Sequence, residues 1–159
     1  MFLKKQNKSF KNLFICTALF LSACTAPIIP PPCTSPANDR VVIRWGTQDE
    51  NSGITKGYHL DAKADLFEIV DDETGNSMLN KLTTVDGNAY CRMSELVKAR
   101  FLKAQTVNVP NHEAAFIEYA NPYSGIYLRA VWIPKYAEHT GQQFQQLYDS
   151  LQTLVPQKD

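Results

Sequence analysis

The sequence predicts an α+β fold, a two-layer sandwich in which two helices pack on one face of an antiparallel sheet, in the order β-β-β-(β)-α-β-β-α. Three observations predict it. Short β-rich runs come in pairs joined by short links, which favours hairpins and an antiparallel sheet. Two longer stretches repeat apolar residues at three- and four-residue spacing on a single side, as helices do when one face is buried. The chain has 159 residues, about 120 of them after a proline-rich segment, which suits one domain around one core.

Arg40-Val41-Val42-Ile43-Arg44-Trp45 is β-branched and aromatic and reads as the first strand. A polar stretch with an Asn51-Ser52-Gly53 turn signal follows. Gly57 to Asp61 and Asp65 to Val70 then read as a hairpin, although the intervening Ala62-Lys63-Ala64 has weak turn chemistry. Asp71 to Asn76 is a loop, and Lys81 to Val85 a further short strand. From Ala89 to Lys103, Tyr90, Met93, Leu96, Val97 and Phe101 form one apolar side of a helix, with Asp86 or Asn88 as its N-cap.

Ala114 to Tyr119 and Ile126 to Ile133 flank Asn121-Pro122-Tyr123-Ser124-Gly125 as a second hairpin. Alternation along the latter strand puts Ile126, Leu128, Ala130 and Trp132 on one face and Tyr127, Arg129 and Val131 on the other. The last helix runs from Gly141 to Leu154, with Phe144, Leu147, Leu151 and Leu154 as its stripe and Pro156 as its stop.

The N-terminal segment has a different composition. Lys4, Lys5, Lys8 and Lys11 precede an apolar run from Leu13 to Ala23. At about 11 residues this is shorter than the roughly 20 a spanning helix needs, and it suits the apolar part of a signal peptide. The run closes on Leu21-Ser22-Ala23-Cys24, which resembles the lipobox of bacterial lipoprotein precursors. The resemblance implies that 1–23 is removed and that Cys24 carries diacylglycerol and an N-acyl chain, the one covalent group expected. Thr25, a residue other than Asp after the lipidated cysteine, implies export to the outer membrane, facing the periplasm.

Five of the nine prolines fall between Pro27 and Pro36. Such a run lacks the backbone donors of a helix or a sheet interior. Residues 24–39 therefore read as a lipidated cysteine on an extended tether, about 45 Å long at polyproline rise, ahead of a single domain at 40–159. Membrane attachment is expected through the lipid, whose acyl chains contribute about 0.8 kcal/mol per buried CH₂.

Four cysteines are present, and Cys16 lies in the apolar run. With Cys24 lipidated, Cys33 and Cys91 are left over in an oxidising compartment, where a disulfide between them is expected. The precursor balances 16 basic against 16 acidic residues. Losing the four leading lysines leaves 12 against 16, a mildly acidic domain without a footprint for nucleic acid.

Motifs that carry chemistry are few. His59, His112 and His139 form no HExxH pattern and read as solvated histidines, with no metal site expected. The acidic run Glu68, Asp71, Asp72, Glu73 lacks the ligand spacing of an EF-hand and reads as a solvated hairpin end. No G-x-S-x-G elbow nominates a nucleophile for a spatially assembled hydrolase triad. Tyr119, Tyr123, Tyr127, Trp132 and Tyr136 crowd the second hairpin and its exit. Tyr127, Arg129 and Val131, with Tyr123, are the candidate binding patch, since aromatics and arginine dominate interface hot spots.

The expectation is therefore a lipid-anchored, non-catalytic binding or accessory module with an envelope protein as partner. The alternative is an inhibitor of an envelope or secreted protease. The first strand, the Ser52 to Gly57 excursion and the next hairpin resemble small β-rich protease inhibitors over about a third of the chain.

Overall fold

The computed structural model describes residues 33, 41–49, 52, 55–71, 76–104, 107–109, 113–136 and 139–157. Residues 1–32 and 34–40, where a signal segment, a lipidated Cys24 and a tether are expected, lie outside the described residues, as do Gly53 and Ile54 in the excursion compared with protease inhibitors. Six strands form one antiparallel sheet in the order β4-β3-β2-β1-β5-β6, with β1 at Val42–Gln48, β2 at Thr55–Leu60, β3 at Asp65–Asp71, β4 at Ser77–Thr84, β5 at Ala114–Asn121 and β6 at Ile126–Trp132. Helix α1 (Gly87–Lys103) carries the chain from edge strand β4 back to β5, and α2 (His139–Gln152) follows β6 through a 3-10 turn at Pro134–Tyr136. This is the α+β sandwich with a one-sided helix layer.

Parity decides which side is covered. Ile43 and Trp45 of β1, Leu60 of β2, Leu66 of β3, Ala115, Ile117 and Tyr119 of β5 and Ala130 and Trp132 of β6 all join one core. Tyr90 and Val97 of α1 and Phe144, Leu147 and Leu151 of α2 complete it. Phe144 links the layers: its ring centroid lies 5.1 Å from that of Phe101 and 6.0 Å from that of Trp132. The indole Nε1 of Trp132 donates to Gln145 Oε1 at 2.9 Å, so the buried polar atom keeps a partner.

Several boundaries differ from the sequence expectation. β1 continues through Gly46 to Gln48, and β4 begins at Ser77 instead of Lys81. β4 is exposed on most of both sides and poor in β-formers, so pairing with β3, not side-chain pattern, makes it a strand. The weak Ala62-Lys63-Ala64 link turns because Asp61 Oδ1 accepts from the N–H groups of Lys63 and Asp65, both at 2.9 Å, while Ala64 adopts φ +62°. In α1 the N-cap is Asp86, whose carboxylate accepts from Ala89 N at 3.0 Å. The fully buried positions there are Tyr90, Ser94 and Val97, whereas Leu96 is 40% exposed. Helix α2 stops at Gln152, leaving Leu154 in the following turn.

Cys33 and Cys91 are joined as a disulfide with Cα atoms 5.5 Å apart, which ties the end of the proline-rich segment to the first turns of α1. In the middle of the sheet, Gly46 faces Gly57 across β1 and β2. A Cβ on Gly46 would lie 2.1 Å from Lys56 O, and one on Gly57 would lie 2.3 Å from Trp45 O. These neighbours are backbone atoms, so no side-chain rotation relieves the contact.

Gly57→Ala is accordingly expected to cost about 3 kcal/mol or more in urea unfolding. Gly125→Ala, at φ +66° in open space on the β5–β6 turn, should cost only about 1–2 kcal/mol. Similar losses for the two would refute the close-approach argument. Cys91→Ser, opening a bridge of sequence separation 58, should lower stability by up to about 4 kcal/mol in the same assay.

Candidate functional site

Both helices lie on one side of the sheet, so the side chains of the opposite parity remain uncovered by them. The strand register aligns Arg129, Glu118, Arg44, His59, Phe67 and Lys81 in one row across all six strands. Two residues along the strands lies a second row of Val131, Phe116, Gly46, Gly57, Ile69 and Leu79. One row is polar and the next apolar, both built by alternation within strands that also feed the core.

Glu118 is the centre of the polar row. Its carboxylate accepts from the Tyr127 hydroxyl at 2.9 Å and sits 3.2 Å from Arg129 Nε and 4.0 Å from Arg44 Nη1. It is mostly buried, its side chain 13% exposed, while those of Arg44 and Arg129 are 48% and 40% exposed. Arg129 also donates to Gln48 Oε1, and its guanidinium carbon stands 5.7 Å from the centre of the Phe116 ring. The guanidinium is thus held in one orientation by a carboxylate, an amide and an aromatic face. Burial pushes the Tyr127 phenol up, and its bond to Glu118 pushes in the same direction.

Arg44 Nε donates to His59 Nδ1 at 3.2 Å, and the His59 ring meets Phe67 edge-on with centroids 5.7 Å apart. The bond needs an unprotonated Nδ1. Burial, reinforced by the Arg44 charge and opposed by Asp61, holds the His59 imidazole below its ordinary value. Farther out, Asp65 accepts from Lys81 at 2.7 Å and from the Thr84 hydroxyl at 2.6 Å, and these bonds hold its carboxyl below the usual range, with the Lys81 bond first.

In the apolar row the paired glycines leave the centre empty. Phe116 on one side and Ile69 and Leu79 on the other wall a depression of about 260 Å³, rimmed by Arg44, Arg129 and Glu118 at one end and by Thr55 and Ser77 at the other. Thr55 N and Ser77 Oγ both donate to Asp71, each at 2.6 Å. That carboxylate stands at the hairpin end, as read from the sequence, and there ties β3 to Thr55 of β2 and Ser77 of β4. Asp72 and Glu73 lie outside the described residues.

Of the sequence-predicted patch, the structure brings Tyr127 and Arg129 together on Glu118. Val131 shares their face but is 2% exposed, packed with Ala114 and Phe116 and bridged along its backbone by 107–109. It belongs to a small core of its own and is no contact residue. Tyr123 is 74% exposed at the hairpin turn, beyond the row, and Tyr119 and Trp132 point into the main core. His59 is a buried strand residue, not a solvated loop histidine, His139 opens α2 beside Gln143, and His112 lies outside the described residues. Sequence reasoning missed Arg44, Glu118 and Phe116. Arg44 had a readable signal, a charge set between Ile43 and Trp45 on a β-rich run, and so did Glu118, the one acid within Ala114–Asn121.

Among the described residues, no three His, Cys, Asp or Glu side chains converge to hold a metal ion, and no helix is long and apolar enough to cross a membrane. The arrangement is suited to binding an anionic group beside an apolar one. No protein-family model and no curated protein sequence matches this chain.

Because its folded-state pKa is depressed, His59 contributes stability that is present above about pH 6.5 and lost as pH falls through the lower folded value. Thermal unfolding midpoints measured from pH 7.5 down to 5 should therefore fall more steeply for the wild type than for His59→Gln. Parallel curves would remove His59 from the acid limb.

Proposed function

We propose that this chain is a lipid-anchored protein of the bacterial envelope that acts as a non-catalytic binding module, with its open sheet face as the binding surface. The address rests on the lipobox Leu21-Ser22-Ala23-Cys24 behind a lysine-rich start. Acyl chains on Cys24 would hold it at the outer membrane, on the periplasmic side, and the proline-rich segment would set the domain off the lipid surface.

The observation that carries the binding reading is the cluster of Arg44, Glu118, Tyr127 and Arg129 beside the depression walled by Phe116, Ile69 and Leu79. A bare sheet face needs no such arrangement. Solvent-exposed arginines ordinarily gain little from surface pairing and keep their rotamer freedom. Here one carboxylate, mostly withdrawn from water, orients the groups around it, and the side chains next to it are those that dominate binding hot spots. Pre-held groups lose less entropy when a ligand arrives.

Two measurements test this. Globomycin should leave an uncleaved precursor that still takes up labelled palmitate, and Cys24→Ala an uncleaved precursor that takes up none; normal processing in either case would refute the anchor. A photo-crosslinking amino acid at position 127 in intact cells should give a discrete adduct, whereas the same group at position 102, on exposed Leu102 of α1, should not. Equal labelling at both would refute the open face as the binding surface.

A further inference from the structure

The two rows of the open face stand at a fixed spacing. Arg44 and Gly46 on β1, Glu118 and Phe116 on β5, and Arg129 and Val131 on β6 are each two residues apart. Two residues of strand span about 6.6 Å. The charged rim and the apolar depression are therefore separated by the distance between same-face side chains of any extended polypeptide.

The depression is also the wrong size for a whole small molecule. At about 260 Å³ it falls under the roughly 300–1,000 Å³ of pockets that enclose one, and it is open along the sheet. Its volume suits one large side chain, set between Phe116 on one side and Ile69 and Leu79 on the other. On the rim, two guanidinium groups face one carboxylate. Arg44 reaches that carboxylate only at 4.0 Å and has nearly half of its side chain in solvent. The arginine end of the rim thus has positive charge to spare, opposite the Asp71 carboxylate at the far end.

We propose that the open face binds an extended acidic polypeptide segment laid along the strand direction. A Glu or Asp side chain meets Arg44 and Arg129, and an aromatic or large aliphatic side chain two residues away fills the depression between Phe116 and Leu79. This rests on the reading of the open face as the binding surface and specifies its ligand. The recognition unit is acid-x-apolar in either chain direction, because spacing and charge are unchanged by reversal. The two anchors divide the work: the arginines supply charge selection and association rate, and the depression supplies residence.

The test uses the full-length lipidated protein in a nonionic detergent and a fluorescent soluble peptide, otherwise neutral, containing Glu-Thr-Phe. Fluorescence polarisation should show saturable binding that weakens as salt is raised. Replacing the peptide's Glu by Lys, or its Phe by Ser, should weaken binding about tenfold, the loss of one such contact. Arg44→Gln should weaken binding and flatten the salt dependence. Leu79→Ser, at an exposed position, should weaken binding and leave the salt dependence as it was. Unaltered unfolding midpoints of both variants show that the fold is kept. Absence of saturable binding, or equal binding of the Glu and Lys peptides, overturns the proposal. If crosslinks still form at position 127 in cells under either of those results, the face is a binding surface with a different ligand. If they do not, both readings fall together.

Discussion

The contact on which most of this molecule depends is the approach of Gly46 to Gly57, where two backbones meet without side chains between them. It sits between β1 and β2, at the middle of the sheet order, and it fixes their register. A slip by one residue would bring Trp45 or Thr47, or Lys56 or Tyr58, to a place that admits no Cβ, and would also turn each strand's core residues outward. The same contact shapes both faces. On the helix side Trp45 and Tyr58, the residues adjoining the glycines, pack with ring centroids 5.4 Å apart. On the other side the glycines put no side chain into the row that holds Phe116, Ile69 and Leu79, the walls of the depression.

From that centre the two faces follow different physics. The helix side gathers Trp45, Trp132, Tyr90 and Phe144, all at 1% exposure or less, and holds the layers by burial of large rings. The open side cannot bury as much, and it settles its charges in bonds between neighbouring strands. Glu118 joins β5 to Arg129 and Tyr127 of β6 and to Arg44 of β1, and Arg44 reaches on to His59 of β2. Cross-strand pairs of this kind contribute modestly to stability one by one. Their larger effect is positional, because a guanidinium held by a carboxylate, an amide and a ring is already where a ligand would meet it.

How much of this was legible in the sequence depended on whether the signal was local. Both helices and the second hairpin stood out from spacing alone, since a buried stripe repeats within a few residues. β4 was half missed because Ser77, Asn80 and Lys81 carry no strand pattern; β3 makes it a strand by pairing. The turn at Ala62–Ala64 was read as weak because the residue that builds it, Asp61, stands just outside. Val131 was placed on the correct face and wrongly taken as exposed, since Phe116 and the bridge from 107–109 cover it. Nothing in its own neighbourhood reports on either.

The sequence by itself determined the order of the elements and the inward or outward parity of β6, and, with Cys24 read as lipidated, which two cysteines were left to pair. It also carries the lipobox-like Cys24, a signal written in consecutive residues. Only the tertiary structure decided that Arg44, Glu118, Tyr127 and Arg129 meet, and that Phe116, Ile69 and Leu79 wall a depression beside them. Parity is a local property, set by two-residue alternation and by what the neighbouring side chains can bury. The meeting of residues 44, 118 and 129 depends on the register of three strands brought together across the chain, and that register comes from the backbone contact at the glycines and the packing of two helices over one face.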